Sequence, residues 1–290
     1  MKKSILVSIA FILSFLNIQA QLLWRITGNG LKQPSYILGT QQLVSIQFFD
    51  SIPGLYKAFS NCEVVVGEVA INNIDATSKI QQAAIMPNHE IIKDLLNDDQ
   101  YKLVDNELKA VMKLGLKEVS IMNPSLVETL YKMEIFKKRT GFSEDKQSDS
   151  YFQLVAAEKG KDVIGLESVD QQIKIQFGNG SLEQQADNLV ETVQHKDSIL
   201  ANMLLINKLY KAGKIDGIYE LSKGKANTTD LTGDGFVQII DNQNAEWILK
   251  LSDLMKKSSC FITVSAIHLG GKNGLIKELQ KSGYKIKAVE

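Results

Sequence analysis

Four apolar runs in the sequence, YILGTQQ, EVVVGE, DVIGLE and FITVSAIH, end in side chains able to hold a ligand or move a proton. The residues concerned are Gln42, Glu68, Glu167 and His268: one amide, two carboxylates and one imidazole. Imidazole and carboxylate are common general acids and bases. In an open α/β sheet, residues just past the C-terminal ends of parallel strands line the crevice where ligands bind, so these four are candidates for one shared site. Each is equally readable as a helix cap or a hydrogen-bonded strand end.

A second metal-like pattern is weaker. Asp230, Thr232, Asp234, Gly235 and Asp241 approximate a calcium loop with glycine at its sixth position. The twelfth position is Asp rather than Glu, and the run also reads as a turn leading into a helix over 244–255. His89 follows Pro87 and Asn88 at a helix start, and His195 lies on a polar face beside Gln194, Lys196 and Asp197. No nucleophile elbow, phosphate loop or Cys-x-x-Cys motif is present in the sequence.

The elements that must position the four residues follow from periodicity. LLWRITG and GLKQPSYILGT read as two strands around a turn at Gly28, Asn29 and Gly30. Residues 53–61 read as a short helix with Pro53 in its first turn, feeding a strand over 62–66. Residues 75–143 turn helical, with apolar positions at Ile91, Leu95, Leu96, Leu103, Val104, Leu108 and Val111, and Pro124 opens a further helix. A helix over 150–160 stops at Gly160 before the strand KDVIGLE, and a long helical passage covers 182–221. The chain returns through CFITVSA, a helix in GLIKELQKSG and a strand in YKIKAV. The expected fold is α/β, a mixed β-sheet flanked by helices with a helical insertion, in which strands from both ends of the chain share one sheet.

The sequence opens with MKKSILVSIAFILSFLNIQAQ: two lysines, an apolar run over 5–18, and Ala20 before Gln21. This is the pattern of a Sec-type signal peptide over 1–20, leaving a single domain over 21–290 in the periplasm or outside the cell. The run is shorter than the ~20 apolar residues of a spanning helix, so no integral membrane segment is expected after cleavage. Basic and acidic residues number 33 each, and without Lys2 and Lys3 the balance is 31 against 33. That balance carries no nucleic-acid footprint. Cys62 and Cys260 each head an apolar run, readable either as a disulfide between neighbouring strands or as two buried thiols.

The residues resemble the TraB/GumN family, which includes the pheromone-shutdown proteins and the TIKI metal-dependent ectoproteases. The resemblance spans 22–289 and rests on LLWRITGNGLKQPSYILGT, VVVGE, GLESVDQQ, the Asn244 and Trp247 pair in QNAEW, and VSAIHLGGKNGLIKELQKSGYKI, in that order. It implies a TIKI- and ChaN-like sheet whose site has two Gly-x-x-His motifs and a glutamate, proposed to hold a divalent metal for peptide hydrolysis. Gln42, Glu68 and His268 would then be the metal-binding positions, and Glu68, Glu167 and His268 the catalytic ones.

This sequence departs from that pattern at three places. The first motif reads Gly39, Thr40, Gln41, Gln42, with Gln42 in place of histidine. The second reads Ser265, Ala266, Ile267, His268, keeping histidine and losing glycine, and Gln243 stands where an arginine is usual. An amide oxygen is a poor ligand for zinc-like or manganese-like ions beside imidazole, so Mn, Co or Zn is expected to bind weakly if at all. The leading expectation is therefore an exported protein with a degraded metal-peptidase-type site that binds a peptide or other extracytoplasmic ligand. The alternative is an active metal-dependent hydrolase using the remaining Glu and His residues.

Overall fold

The computed structural model describes residues 21–70, 74–143, 150–178, 180–223 and 234–290. The leader and the calcium-like positions Asp230 and Thr232 lie outside the described residues.

The first hairpin forms where the strand and turn pattern puts it. Strand β1 (Leu23–Gly28) pairs antiparallel with β2 (Ser35–Thr40), in the register Leu23↔Leu38. Gly28, Asn29 and Gly30 all take positive φ, the backbone that Gly and Asn adopt most easily. Helix α1 (Leu55–Asn61) starts after Pro53, because Gly54 is its left-handed N-cap, and leads into β3 (Val64–Val69).

The helical segment then runs through α2 (Ile74–Ala83), α3 (Asp98–Met112) and α4 (Pro124–Thr140). Ile91, Leu95 and Leu96 are not part of a long helix as their spacing suggests. The chain is extended at Ile91 and Leu96, with a 3-10 turn at Ile92–Leu95 between them. The physical reason is the start signal just beyond: the Asn97 side chain accepts from Asp99 N and Gln100 N while Gln100 reaches back to Asn97 N, a capping box that fixes the first turn of α3.

Helix α5 (Tyr151–Glu158), strand β4 (Asp162–Glu167) and helix α6 (Val169–Phe177) follow. The passage over 182–221 is three helices, α7 (Leu182–Gln194), α8 (Lys196–Lys211) and α9 (Ile215–Lys223). His195 leaves helical geometry at φ −108 and ψ 23, and Gly213 at φ 67. Helix α10 (Asp234–Lys257), strand β5 (Cys260–Ser265), helix α11 (Leu275–Lys281) and strand β6 (Tyr284–Ala288) complete the chain.

The sheet has the order β4-β3-β5-β2-β1-β6. Strands β4, β3, β5 and β2 are mutually parallel, and β1 is antiparallel to both β2 and β6. Parallel neighbours need crossover connections, here supplied by helices, and covering both faces suits apolar strands such as VVVGEV and CFITVS. The consequence for function is geometric: β2, β3, β4 and β5 all end along one edge, with Thr40 opposite Ser265 and Val69 opposite Glu167.

Two hydrophobic clusters divide the buried residues. The larger surrounds the sheet and includes Phe49, Phe59, Phe152, Trp247 and Phe261. The smaller lies within the helical segment, where Val104 and Leu108 of α3 and Val127 and Tyr131 of α4 meet Leu189 and Val193 of α7.

Cys62, which caps α1 two residues before β3 rather than heading the strand, and Cys260, the first residue of the neighbouring β5, are both buried free thiols. Burial pushes the Cys62 thiol up to about 12, with Cys260 itself adding to the effect, and burial pushes Cys260 up to about 11. Only the thiolate reacts readily. Native protein at pH 8 is therefore expected to leave both thiols unmodified by a disulfide reagent until denaturant is added, as read by absorbance of the released thiol. Rapid labelling of folded protein would contradict this burial.

Candidate functional site

Two glycines let the strand ends come together. A Cβ on Gly39 of β2 would sit 2.8 Å from Leu269 Cδ1 and 3.2 Å from Ala266 Cα, so glycine lets the turn after β5 close over β2. A Cβ on Gly67 of β3 would overlap the Gln153 side chain of α5. Side chains beside these positions are thereby drawn to one edge.

Glu68 crosses from β3 to β5: its Oε1 accepts from Ser265 N at 2.6 Å. After Ser265 the chain enters a 3-10 turn, Ala266–His268, which carries the His268 ring into the interior at 3% exposure. Glu167 ends β4, and its Oε1 accepts from Gln243 Nε2 at 2.7 Å and Trp247 Nε1 at 3.1 Å. Both donors come from α10, where positions 243, 247 and 250 lie on one helical stripe. Lys250 Nζ completes the stripe by donating to Leu166 O at 2.6 Å. Glu167 Oε2 is buried with no hydrogen-bond partner.

The protonation of His268 follows from its neighbours. Asn244 Nδ2 donates to His268 O at 3.2 Å and Asn273 O at 3.0 Å. Its Oδ1 must therefore be the atom 2.9 Å from His268 Nδ1, and the imidazole donates from Nδ1. Nε2 keeps its lone pair, 3.9 Å from Glu68 Oε1. Burial pushes the imidazole pKa down to about 3, so the contact at neutral pH is a carboxylate facing a neutral ring rather than an ion pair. The Trp247 ring packs against the imidazole with centroids 4.3 Å apart and planes at 32°.

The loop after His268 is held from behind. Gly271 N donates to Asp216 at 2.8 Å, and Asn273 Nδ2 donates to Asp241 Oδ2 at 2.6 Å. Tyr219 OH also donates to Asp241, so this carboxylate of the calcium-like run is engaged by a tyrosine and an asparagine.

A cavity of about 260 Å³ opens at the strand ends. Glu68, Thr40, Gln153, Gln172 and Ser265 contribute polar groups, and Val69, Ile80, Val169 and Val264 the apolar wall. Of the four residues singled out by spacing, Glu68 and His268 meet directly, and Glu167 is joined to them through the Trp247 ring. Gln42 sits exposed in the turn after β2 and is not among the lining residues. Gln153 and Gln172 are lining residues that strand-end spacing does not reveal. The sequence signal for Gln172 is the capping box Ser168-x-x-Gln171, which starts α6 directly after β4.

Among the described residues, no group of three or more His, Cys, Asp or Glu side chains could hold a metal ion. At the strand ends the Glu68 carboxylate and the His268 imidazole nitrogen face each other at 3.9 Å, while the second carboxylate, Glu167, is turned to Gln243 and Trp247. A catalytic zinc-type site uses three protein ligands, so this donor set does not fit one.

No curated protein and no solved structure matches the chain. A family model does match, that of the TraB/PrgY/gumN family, over residues 22–288. With nearly the whole chain covered, the protein belongs to the TraB/PrgY/gumN family.

Proposed function

We propose that the chain is an exported binding protein of the cell envelope, whose strand-end pocket takes a peptide or other extracytoplasmic ligand without metal-dependent hydrolysis. The observation that carries this reading is the donor set. Gln42 is turned to solvent, Glu167 is engaged by Gln243 and Trp247, and only Glu68 and His268 remain near one another. Export rests on the lysines and apolar run of residues 1–20. No helix among the described residues is long and apolar enough to cross a membrane.

One observation favours a second reading, a metal-dependent hydrolase: the His268 Nε2 lone pair lies 3.9 Å from the Glu68 carboxylate, two groups of the kind that ligate Mn, Co or Zn. Metal content separates the two. The purified protein and its His268→Ala variant are dialysed against Mn, Co and Zn and analysed by mass spectrometry. Well under one equivalent in both is expected. Near-stoichiometric metal in the parent, lost in the variant, would overturn the binding reading in favour of the hydrolase.

A further inference from the structure

We propose that the groove between α2, α6 and the start of α7 is a second binding site, separate from the strand-end pocket, and that it takes one backbone amide of an extended apolar peptide segment. The proposal does not depend on what the strand-end pocket binds.

Helices α2 and α6 have a cavity on each side. Val169 and Gln172 of α6 line the strand-end cavity, whereas Asp170, Ile173 and Phe177 line the groove, of about 880 Å³. These are two neighbouring stripes of one helix. The groove is balanced in charge. Among its described lining residues the charged side chains are Lys79 and Asp170, and Lys79 Nζ donates to both Asp170 oxygens, at 2.8 and 2.9 Å.

Two buried amides in the lining have fixed and opposite orientations. Gln185, 3% exposed, donates from Nε2 to Phe177 O at 3.0 Å and Gly180 O at 3.5 Å. Two carbonyls at one end of the amide leave the acceptor, Oε1, as the other end, and that atom is buried with no hydrogen-bond partner. Such an atom costs stability until a donor reaches it. Asn123, 4% exposed, accepts at Oδ1 from Ser125 N at 3.1 Å, which leaves Nδ2, a donor, as its other end. Both amides are tied to consecutive carbonyls at the end of α6. Gln185 bonds Phe177 O directly, and Asn123 is linked through Ser125 Oγ, 2.7 Å from Asn123 Oδ1 and 3.3 Å from Gln176 O. The rest of the polar lining adds no preference. Gln82 is exposed, with an amide that can donate or accept, and the Ser181 hydroxyl accepts from Gln184 N and bonds the Glu183 carboxylate.

One acceptor and one donor held at the end of one helix are the complement of a peptide unit, which carries one N–H and one C=O. The N–H meets Gln185 Oε1 and the C=O meets Asn123 Nδ2. The flanking apolar side chains of the ligand have their counterparts in Ile173, Phe177, Leu182 and Ile85, the last an apolar side chain left 48% exposed. A charged ligand group would find Lys79 and Asp170 already paired with each other.

The test compares N-isobutyl isovaleramide, which has one N–H and one C=O between two branched apolar groups, with isobutyl isovalerate, the ester that lacks the N–H. Each is titrated with the purified protein and followed by NMR of the ligand. The amide is expected to bind roughly tenfold more tightly, the size of one hydrogen bond to an otherwise unsatisfied buried acceptor. Gln185→Leu should bring the two compounds to equal affinity by weakening the amide. Ile85→Asp, at a half-exposed side chain, should weaken both compounds several-fold at unchanged melting temperature, and it carries the test should Gln185→Leu fold poorly. Equal affinity of the two compounds for the parent protein, or binding of neither, would overturn the proposal. So would amide binding that is unchanged in Ile85→Asp, which would put the compound elsewhere on the protein. The reading of the strand-end pocket stands or falls separately, on the metal measurement.

Discussion

Replacing Trp247 with alanine is expected to lower folding stability by about 3–5 kcal/mol from lost core volume alone. The side chain is fully buried, and two contacts end with it. The cavity falls between β4 and the His268 turn, the ring no longer covers the imidazole, and Glu167 loses one of the two donors on Oε1. Because Glu167 Oε2 already lacks a partner, a further lost donor leaves a buried carboxylate held by Gln243 alone. Trp247→Phe separates the contributions, retaining an aromatic ring against His268 while removing the indole N–H, and should cost about 1–3 kcal/mol. Urea denaturation of the three proteins measures both, as a fall in midpoint at unchanged slope. A Trp247→Ala midpoint within error of the parent would mean that this side chain does not hold β4 and the His268 turn together.

Acidification below neutrality should destabilise the protein before carboxylates begin to protonate. The folded imidazole of His268 is held down at about 3, below the ~6.5 of an unfolded histidine, so falling pH protonates the unfolded chain first. Stability is complete above about pH 6.5 and is lost as pH falls toward about 3, by up to about 1.4 kcal/mol for each pH unit. Below that value both states carry the proton and this loss stops growing. Glu68 faces the ring directly and Glu167 lies across Trp247, so over the interval from about pH 6.5 to 5 the parent is read against His268→Gln, which keeps both carboxylates and removes the imidazole. Urea midpoints measured across that interval should fall steadily for the parent and stay flatter for His268→Gln. Parallel slopes in the two proteins would show that another group sets the acid sensitivity.

The sheet was largely legible in the sequence because strand and turn signals are local. The hairpin at Gly28–Asn29–Gly30, the runs ending in Glu68 and Glu167, and the return at CFITVSA each stand where their residues place them. Helix punctuation was less legible. An apolar stripe through 182–221 continues across His195 and Gly213, and hydrophobic spacing does not register a break that keeps the same face buried. At the site, alternation places residues only while a strand lasts. Glu68 and Glu167 lie inside strands and reach the common edge, whereas Gln42 lies beyond the end of β2 in a turn whose direction is set by tertiary contacts such as Asn207 Nδ2 to Leu43 O, at 2.7 Å. The partner of His268 required the fold, since Asn244 lies 24 residues earlier on α10.

The strand order also dictates when the molecule can assemble. Strand β5 lies inside the parallel set, joining β3 to β2, and among the described residues β6 is the strand beside β1 on its outer side. Until residues 260–288 have been synthesised, β2 and β3 have no shared neighbour and the hairpin of β1 and β2 stands unsupported on both sides. A nascent chain emerging from the ribosome therefore carries unpaired apolar strands for most of its synthesis, and contacts such as Thr27 to Lys285, 258 positions apart, make collapse slow even after release. Shortening the C-terminus by a single strand would leave the β1 edge open to pairing between molecules.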